Sequence, residues 1–392
     1  MSEVLKREAR ICQPILDLPG SRIRVVTRAS ADIPDMIKLW FGEGDEPTPE
    51  FIREGAKAAL DRGETFYAAN RGIPPLMKAI HDYMLRAYGA EIGPDRIVTT
   101  ASGMNAIMIT VQCLIEPGDS AVVIGPIWPN GRSAIRAMGG EPRDVFLQPQ
   151  EDGRWTLDMQ QLFDACDDTT RLIMINSPGN PTGWVASAEE LKTILDFARE
   201  RGIWILSDEV YGRIIYGPAT HAPSYYTLAQ PEDPVVIINS FSKSWSMTGW
   251  RLGWIVAPPR LCAAVEKMTE FNISHPTTFV QWGGVTALND GDAYIEGLVE
   301  RYERAADLVY QALAPLPRVR LAKPEGAFYA FFSLDGVTDS LQTCIDLARK
   351  ARVGMAPGIA FGPAGEGRIR LCYAASLPKL SEAMERLIPH LK

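Results

Sequence analysis

The sequence predicts an α/β protein: a large domain with a mostly parallel sheet sandwiched by helices, joined to a smaller α+β domain. Three observations carry this expectation. Between residues 95 and 255, short β-branched runs recur, each followed by a polar or Gly/Pro-rich turn and then a helical stretch. Alternation of this kind builds a parallel sheet. The runs are apolar throughout rather than at every second residue, so they read as buried on both faces. From about residue 290 the alternation gives way to one long helical stretch and later strand-like pieces.

In chain order, the first forty or so residues offer no unit of their own and are assigned to the small domain. The expected division is 1–45 with 290–392 for the small domain and 46–289 for the large one. The predicted strands of the large domain are Arg96–Thr99, Ala121–Ile124, Arg171–Ile175, Ile203–Leu206 and Val235–Ile238. Helices are expected over Met104–Ile115, Ser187–Arg201 and Leu261–Phe271. The second of these has a start signal, because Ser187 stands three residues ahead of Glu190 in a capping-box pattern. In the C-terminal part a helix is expected over Tyr294–Leu313, with strands near Gly326–Ser333 and Arg368–Tyr373.

Composition narrows the function. The 392 residues are 46% apolar and 22% charged, the profile of an ordinary soluble globular protein. A net charge of −8 leaves no basic excess for a nucleic-acid backbone. Cys12, Cys113, Cys166, Cys262, Cys344 and Cys372 are scattered without a CxxC pair, and the four histidines are dispersed, which disfavours a disulfide framework and a zinc site. The start, MSEVLKREARICQP, lacks the apolar stretch of a signal peptide, and no run is long enough to cross a bilayer. A soluble cytoplasmic protein without a membrane partner is expected.

Ligands of open α/β sheets bind beyond the C-terminal ends of the strands. Each predicted strand here is followed by a turn with reactive or polar groups: Ser102-Gly103-Met104, then Trp128, then Asn176 to Gly183 with Asn180, then Asp208-Glu209-Val210-Tyr211, then Ser240-Phe241-Ser242-Lys243 with Arg251 beyond. Taken singly, each has an ordinary explanation as a cap, a turn or a surface charge. Placed on one rim, they make an anion cradle, a flat aromatic, an amide, a carboxylate, a phenol, a lysine and an arginine. A phosphorylated pyridine aldehyde with a phenolic oxygen would use all of them. A helix N-terminus and an arginine hold phosphate, a carboxylate holds the ring nitrogen protonated, and a lysine forms the Schiff base.

The stretch SFSKSWSMTGWRLGW, with Arg251 eight residues beyond Lys243, resembles the lysine motif of class I/II aminotransferases of fold type I. NSPGNPTG and SDEVY resemble that family's preceding signatures, in the same order. The likeness runs from about Leu39 to Tyr373. It implies pyridoxal 5'-phosphate on Lys243, which also shuttles the substrate proton, with Asp208 on the ring nitrogen and Asn180 and Tyr211 on the phenolic oxygen. It further implies Trp128 over the ring, and Ser240, Arg251, Gly103 and Met104 on the phosphate, joined by Ser102 and Ser242. Tyr67 matches a tyrosine that reaches the phosphate of a neighbouring subunit, hence an expected homodimer with shared sites. Arg370 matches the arginine that grips the substrate α-carboxylate, and Gly42 lies in a loop over it.

Two departures matter. Arg368 lies two residues from Arg370, and strand alternation puts both on one face. Met104 stands where an acidic-substrate subgroup has lysine. The expected function is therefore ping-pong transfer of an amino group from a neutral or aromatic L-amino acid to a 2-oxo acid such as 2-oxoglutarate. A β-eliminating C–S lyase and an aspartate-preferring aminotransferase are the alternatives. A regulator of transcription would need a basic DNA-binding module, and only about forty residues precede Leu39. A nicotinamide enzyme would need a third glycine after Gly42-Glu43-Gly44.

Overall fold

A computed structural model describes residues 9–392, so residues 1–8 of the expected small domain lie outside it. Its main sheet has seven strands: β1 (Ile97–Thr100), β2 (Ser120–Gly125), β3 (Glu141–Phe146), β4 (Thr170–Asn176), β5 (Trp204–Asp208), β6 (Val235–Ser240) and β7 (Gly253–Val256). Across the sheet they lie in the order β1-β7-β6-β5-β4-β2-β3. The five apolar runs read from the sequence are β1, β2, β4, β5 and β6. Neighbours from β3 to β6 pair in parallel. Only β7 runs against them, wedged between β1 and β6.

Alternate residues of these strands feed two separate cores. Val98, Val123, Met174, Leu206, Ile238 and Ile255 pack on one face, together with Ile107 and Leu261 from helices. Ile97, Val122, Ile173, Ile205, Ile237 and Trp254 pack on the other. Fully burying each aliphatic side chain stabilises the fold by about 1.5–3 kcal/mol, which is why the strands carry no polar alternation. Helix α1 (Gly103–Leu114) and the helix Pro259–Asn272 cover the first face. The helix Ala188–Arg201 starts as expected: the Ser187 hydroxyl accepts from Glu190 N–H at 3.1 Å, and the Glu190 carboxylate accepts from Ser187 N–H at 2.7 Å.

A second sheet of β8 (Val319–Arg320), β9 (Tyr329–Leu334), β10 (Ala356–Pro357) and β11 (Arg368–Cys372) has the order β8-β9-β11-β10. The helices Asp292–Leu313, Ser340–Ala351 and Leu377–Leu391 pack around it. Residues Ile37–Lys38 pair in parallel with Val353–Gly354, tying the N-terminal segment to this part of the chain. Helices Glu50–Asp61, Pro74–Tyr88 and Thr278–Asp290, and the edge strand β3, were not among the sequence expectations.

Candidate active site

Strands β1, β2, β4, β5 and β6 end at one edge of the sheet, and β7 begins there. Gly253, its first residue, pairs with both Thr100 and Ser240. The reversed strand thus delivers Arg251 to the same rim as Gly103 and Lys243. Gly253 itself must lack a side chain: a Cβ would lie 2.7 Å from the Asn239 carbonyl and 2.9 Å from the Gly103 nitrogen. A cavity of about 270 Å³ opens at this edge. Gly42, Gly103, Met104, Trp128, Asn180, Asp208, Tyr211, Ser240, Ser242, Lys243, Arg251 and Arg370 all line it. Two expected residues do not. The Ser102 hydroxyl accepts from Asn105 N–H at 3.1 Å as the cap of α1. Tyr67 is 93% exposed, with its ring edge-on to His275.

One end of the cavity is built for an anion. The N-terminus of α1 opens here, with Ser102 held at a φ of 119°. The Ser240 and Ser242 hydroxyls stand 3.0 Å apart, and Arg251, in the left-handed region at φ 56°, is braced by donating to the Thr248 carbonyl at 2.7 Å. Helix N–H groups, hydroxyls and a guanidinium together suit phosphate.

The middle holds a carboxylate and an amine. Burial pushes Asp208 up to about 6, against the pull of Val210 N–H and of Lys243. Its side chain accepts only a long bond from Val210 N–H at 3.4 Å. A buried carboxylate so thinly partnered suits a cationic N–H donor. Asn176 fixes the surrounding turns, donating to the Asp208 carbonyl at 2.9 Å and accepting from Asn180 N–H at 2.8 Å. Burial lowers Lys243 to about 8, and its ammonium donates to the Gly42 carbonyl at 2.6 Å. The Tyr211 hydroxyl lies 2.7 Å from that of Tyr329.

At the far end, Arg370 is 2% exposed. It donates to Asn180 Oδ1 at 2.9 Å and to the Trp40 carbonyl, while its Nε has no partner among the described residues. Its guanidinium lies over the rings of Tyr329 and Phe361, 4.5 and 4.8 Å from their centroids. Arg368 goes elsewhere, over Trp155 at 4.6 Å. The pair that strand alternation left unresolved is thus separated by which aromatic rings each guanidinium finds. Trp40 is buried against Gly354 and offers its carbonyl to Arg370, and Phe41 lines the cavity. Ile23, Ile107, Asn176, Val210, Thr248 and Tyr329 line it too and were missed.

The donor set fits pyridoxal phosphate: an anion cradle, a carboxylate for the ring nitrogen, phenol and amide for the phenolic oxygen, and a buried amine. Among the described residues no cluster of metal-binding side chains occurs, and no helix is long and apolar enough to cross a membrane. The family "Aminotransferase class I and II" matches residues 34–387. An aspartate aminotransferase of Pyrococcus horikoshii is 36% identical over 97% of both chains. Aromatic-amino-acid aminotransferase 2 of Thermococcus litoralis is 34% identical over 95% of this chain and 96% of its own. The crystal structure of an aromatic aminotransferase from Pyrococcus horikoshii superposes with a TM-score of 0.86 at 34% identity, covering 93% of this chain and 98% of that one. The chain belongs to the class I and II aminotransferases, enzymes that depend on pyridoxal phosphate and move an amino group between an amino acid and a 2-oxo acid.

Proposed function

We propose that the amino donor is an L-amino acid with a neutral, apolar or aromatic side chain and that 2-oxoglutarate is a suitable acceptor. The observation that carries the preference is the cavity wall, where Ile23, Phe41, Met104, Ile107 and Trp128 contribute apolar surface. Its cations are Lys243, Arg251 and Arg370, each with a role already assigned. Of the other candidates for a second carboxylate, Arg22 and Arg24 are exposed beside the inward Ile23. His275 has both ring nitrogens engaged, one by Ala68 N–H at 3.1 Å and one by the Pro276 carbonyl at 2.7 Å. An unpaired aspartate carboxylate would be costly to bury against such a wall, whereas each buried methylene contributes about 0.8 kcal/mol.

Bound, pyridoxal phosphate supplies the electron sink that makes the Cα–H bond acidic and the carrier for the amino group. Arg370 and Asn180 orient the substrate carboxylate. Lys243, lowered to about 8 by burial, has a neutral amine available near neutral pH to take the Cα proton and return it. Asp208 supplies the fixed negative charge at the ring nitrogen, and Trp128 covers one face. The two half-reactions share these groups, so donor and acceptor use the site in turn.

The test is kcat/KM for phenylalanine, leucine, methionine and aspartate with one acceptor. Phenylalanine or leucine is expected to lead. Aspartate ahead by about tenfold, a margin of about 1.4 kcal/mol, overturns the preference and makes this an aspartate-preferring enzyme.

The same reading includes a homodimer that works in the cytoplasm with its six free thiols reduced. Phe66, Tyr67 and Phe271 are 82%, 93% and 78% exposed, a large apolar surface that a second copy would cover. Tyr67 would then reach the neighbour's phosphate. A Tyr67 variant mixed with an Arg370 variant regains activity through hybrid dimers; an active monomer in sedimentation overturns this. The division into 1–45 with 290–392 and 46–289 completes the proposal, supported by the pairing of Ile37–Lys38 with Val353–Gly354.

A further inference from the structure

Tyr329 touches three parts of the site at once. Its hydroxyl is 2.7 Å from that of Tyr211. Its ring lies under the Arg370 guanidinium at 4.5 Å. Its oxygen lies so close to Gly42 that a Cβ there would stand 2.0 Å from it. The residue is fully buried at 0% exposure, on β9 directly across from Cys372 of the strand that carries Arg370. We propose that Tyr329 is a positioning residue that acts through Tyr211 and Arg370: its hydroxyl aims the Tyr211 O–H into the cavity, and its ring holds the Arg370 guanidinium flat. The proposal rests on the roles given above to Tyr211 and Arg370.

The direction of the Tyr–Tyr bond follows from what each oxygen faces. Among the described residues, each hydroxyl has the other as its one hydrogen-bond partner. With Gly42 packed against the Tyr329 oxygen, a Tyr329 proton turned away from Tyr211 would lack an acceptor, a costly state for a buried donor. On this proposal Tyr329 is the donor and Tyr211 the acceptor of this bond. The Tyr211 proton is left to point into the cavity, toward the phenolic oxygen of the cofactor. Accepting one bond strengthens the bond that Tyr211 donates, by about 10–30% in such chains. The ring acts separately. The Arg370 guanidinium lies over both Tyr329 and Phe361, and these rings hold its plane together with its bonds to Asn180 and the Trp40 carbonyl.

The test uses holoenzyme and the pH titration of the cofactor's visible absorbance. A donor on the phenolic oxygen favours its charged form, so Tyr211→Phe moves the midpoint upward. Tyr329→Phe, which keeps the ring and the packing, is expected to move it the same way by about a third of that or less. The double variant moves no further than Tyr211→Phe alone, because Tyr329 works through Tyr211. The second readout is the Kd of an α-methyl amino acid, which binds without a Cα proton to lose. Tyr329→Phe leaves it unchanged, and Tyr329→Leu weakens it roughly three- to thirtyfold. If Tyr211→Phe moves the midpoint and Tyr329→Phe does not, or if the two shifts add, the hydroxyl role is wrong. If Tyr211→Phe leaves the midpoint in place, the reading of Tyr211 falls and takes this role with it. Equal binding to Tyr329→Phe and Tyr329→Leu overturns the ring role.

Discussion

Replacing Glu209 with glutamine removes a charge from the protein interior without changing the shape of the side chain. Glu209 follows the site carboxylate Asp208 and is 2% exposed. Oε1 accepts from the Ser207 hydroxyl at 2.9 Å and from Tyr225 N–H at 3.3 Å, and Oε2 from the Ser224 hydroxyl at 2.5 Å. No cation pairs with it among these contacts. Burial pushes it up from an ordinary 4.5 to about 7, against the pull of those three donors. A carboxyl raised in the folded state is held preferentially in its protonated form. Its contribution to stability is full below the unfolded value and is lost as pH climbs to the folded one. At about 1.4 kcal/mol per pH unit, the gap from 4.5 to about 7 corresponds to about 3 kcal/mol. Glutamine keeps the two bonds of Oε1 and turns an N–H toward Ser224, whose hydroxyl also accepts. Urea unfolding of the apoprotein, parent beside Glu209→Gln, reads the difference in stability and cancels the groups the two share. The variant should gain on the parent by up to about 3 kcal/mol between about pH 5 and pH 8. A difference that stays flat over that range refutes the reasoning.

Four further outcomes are expected. Lys243→Ala loses all turnover and the visible absorption of the bound cofactor; a yellow, active variant would end the case for this lysine. Asp208→Ala keeps the cofactor but loses about 10²- to 10³-fold in rate or more, and near-normal activity would place the ring nitrogen on another group. Because burial holds Lys243 at about 8, the rate at which apoprotein takes up pyridoxal phosphate should rise with pH and level off above about 8; a rate still climbing toward the ordinary lysine value of 10.5 contradicts that burial. Gly42→Ala drives a methyl into the Tyr329 hydroxyl and should cost about 1–3 kcal/mol in thermal unfolding. Adding Tyr329→Phe should restore part of the loss, and unchanged melting of the Gly42→Ala variant would show that the loop yields freely.

The rim of the site was legible in the sequence because its logic is local. Five apolar runs end in five turns, and a parallel sheet brings strand ends together whatever their order. Twelve of the fourteen expected residues line one cavity, ten of them from those turns or just beyond, while Gly42 and Arg370 reach it from elsewhere in the chain. What escaped notice depends on how distant pieces meet. Gly253–Val256 reads as the tail of the lysine motif, and nothing in four residues announces a reversed strand inserted beside β1. The edge strand β3 carries Glu141, Arg143 and Asp144, so it lacks the buried-strand signature. Arg368 and Arg370 share a strand face, and only the rings around them, Trp155 for one and Tyr329 with Phe361 for the other, send them apart. Tyr329 lies inside a predicted strand, but its meeting with Tyr211 joins the second sheet to the turn after β5.

The reversed strand has a consequence for how the enzyme comes to exist. The anion cradle is assembled from the start of α1, near residue 103, and from Arg251, which the reversed strand delivers about 150 residues later in the chain. A chain that has made only its first strands and helices holds half a cradle, however well those pieces are formed. Contacts of such long sequence separation carry a loop-closure cost that makes them slow to form. On the phosphate role proposed for this cradle, capture of pyridoxal phosphate would report completion of the sheet: in refolding, helical signal should return first and cofactor absorbance only once β7 has slotted between its neighbours. A partly folded chain has no finished place for the phosphate, and so the cofactor acts as the enzyme's own certificate of assembly.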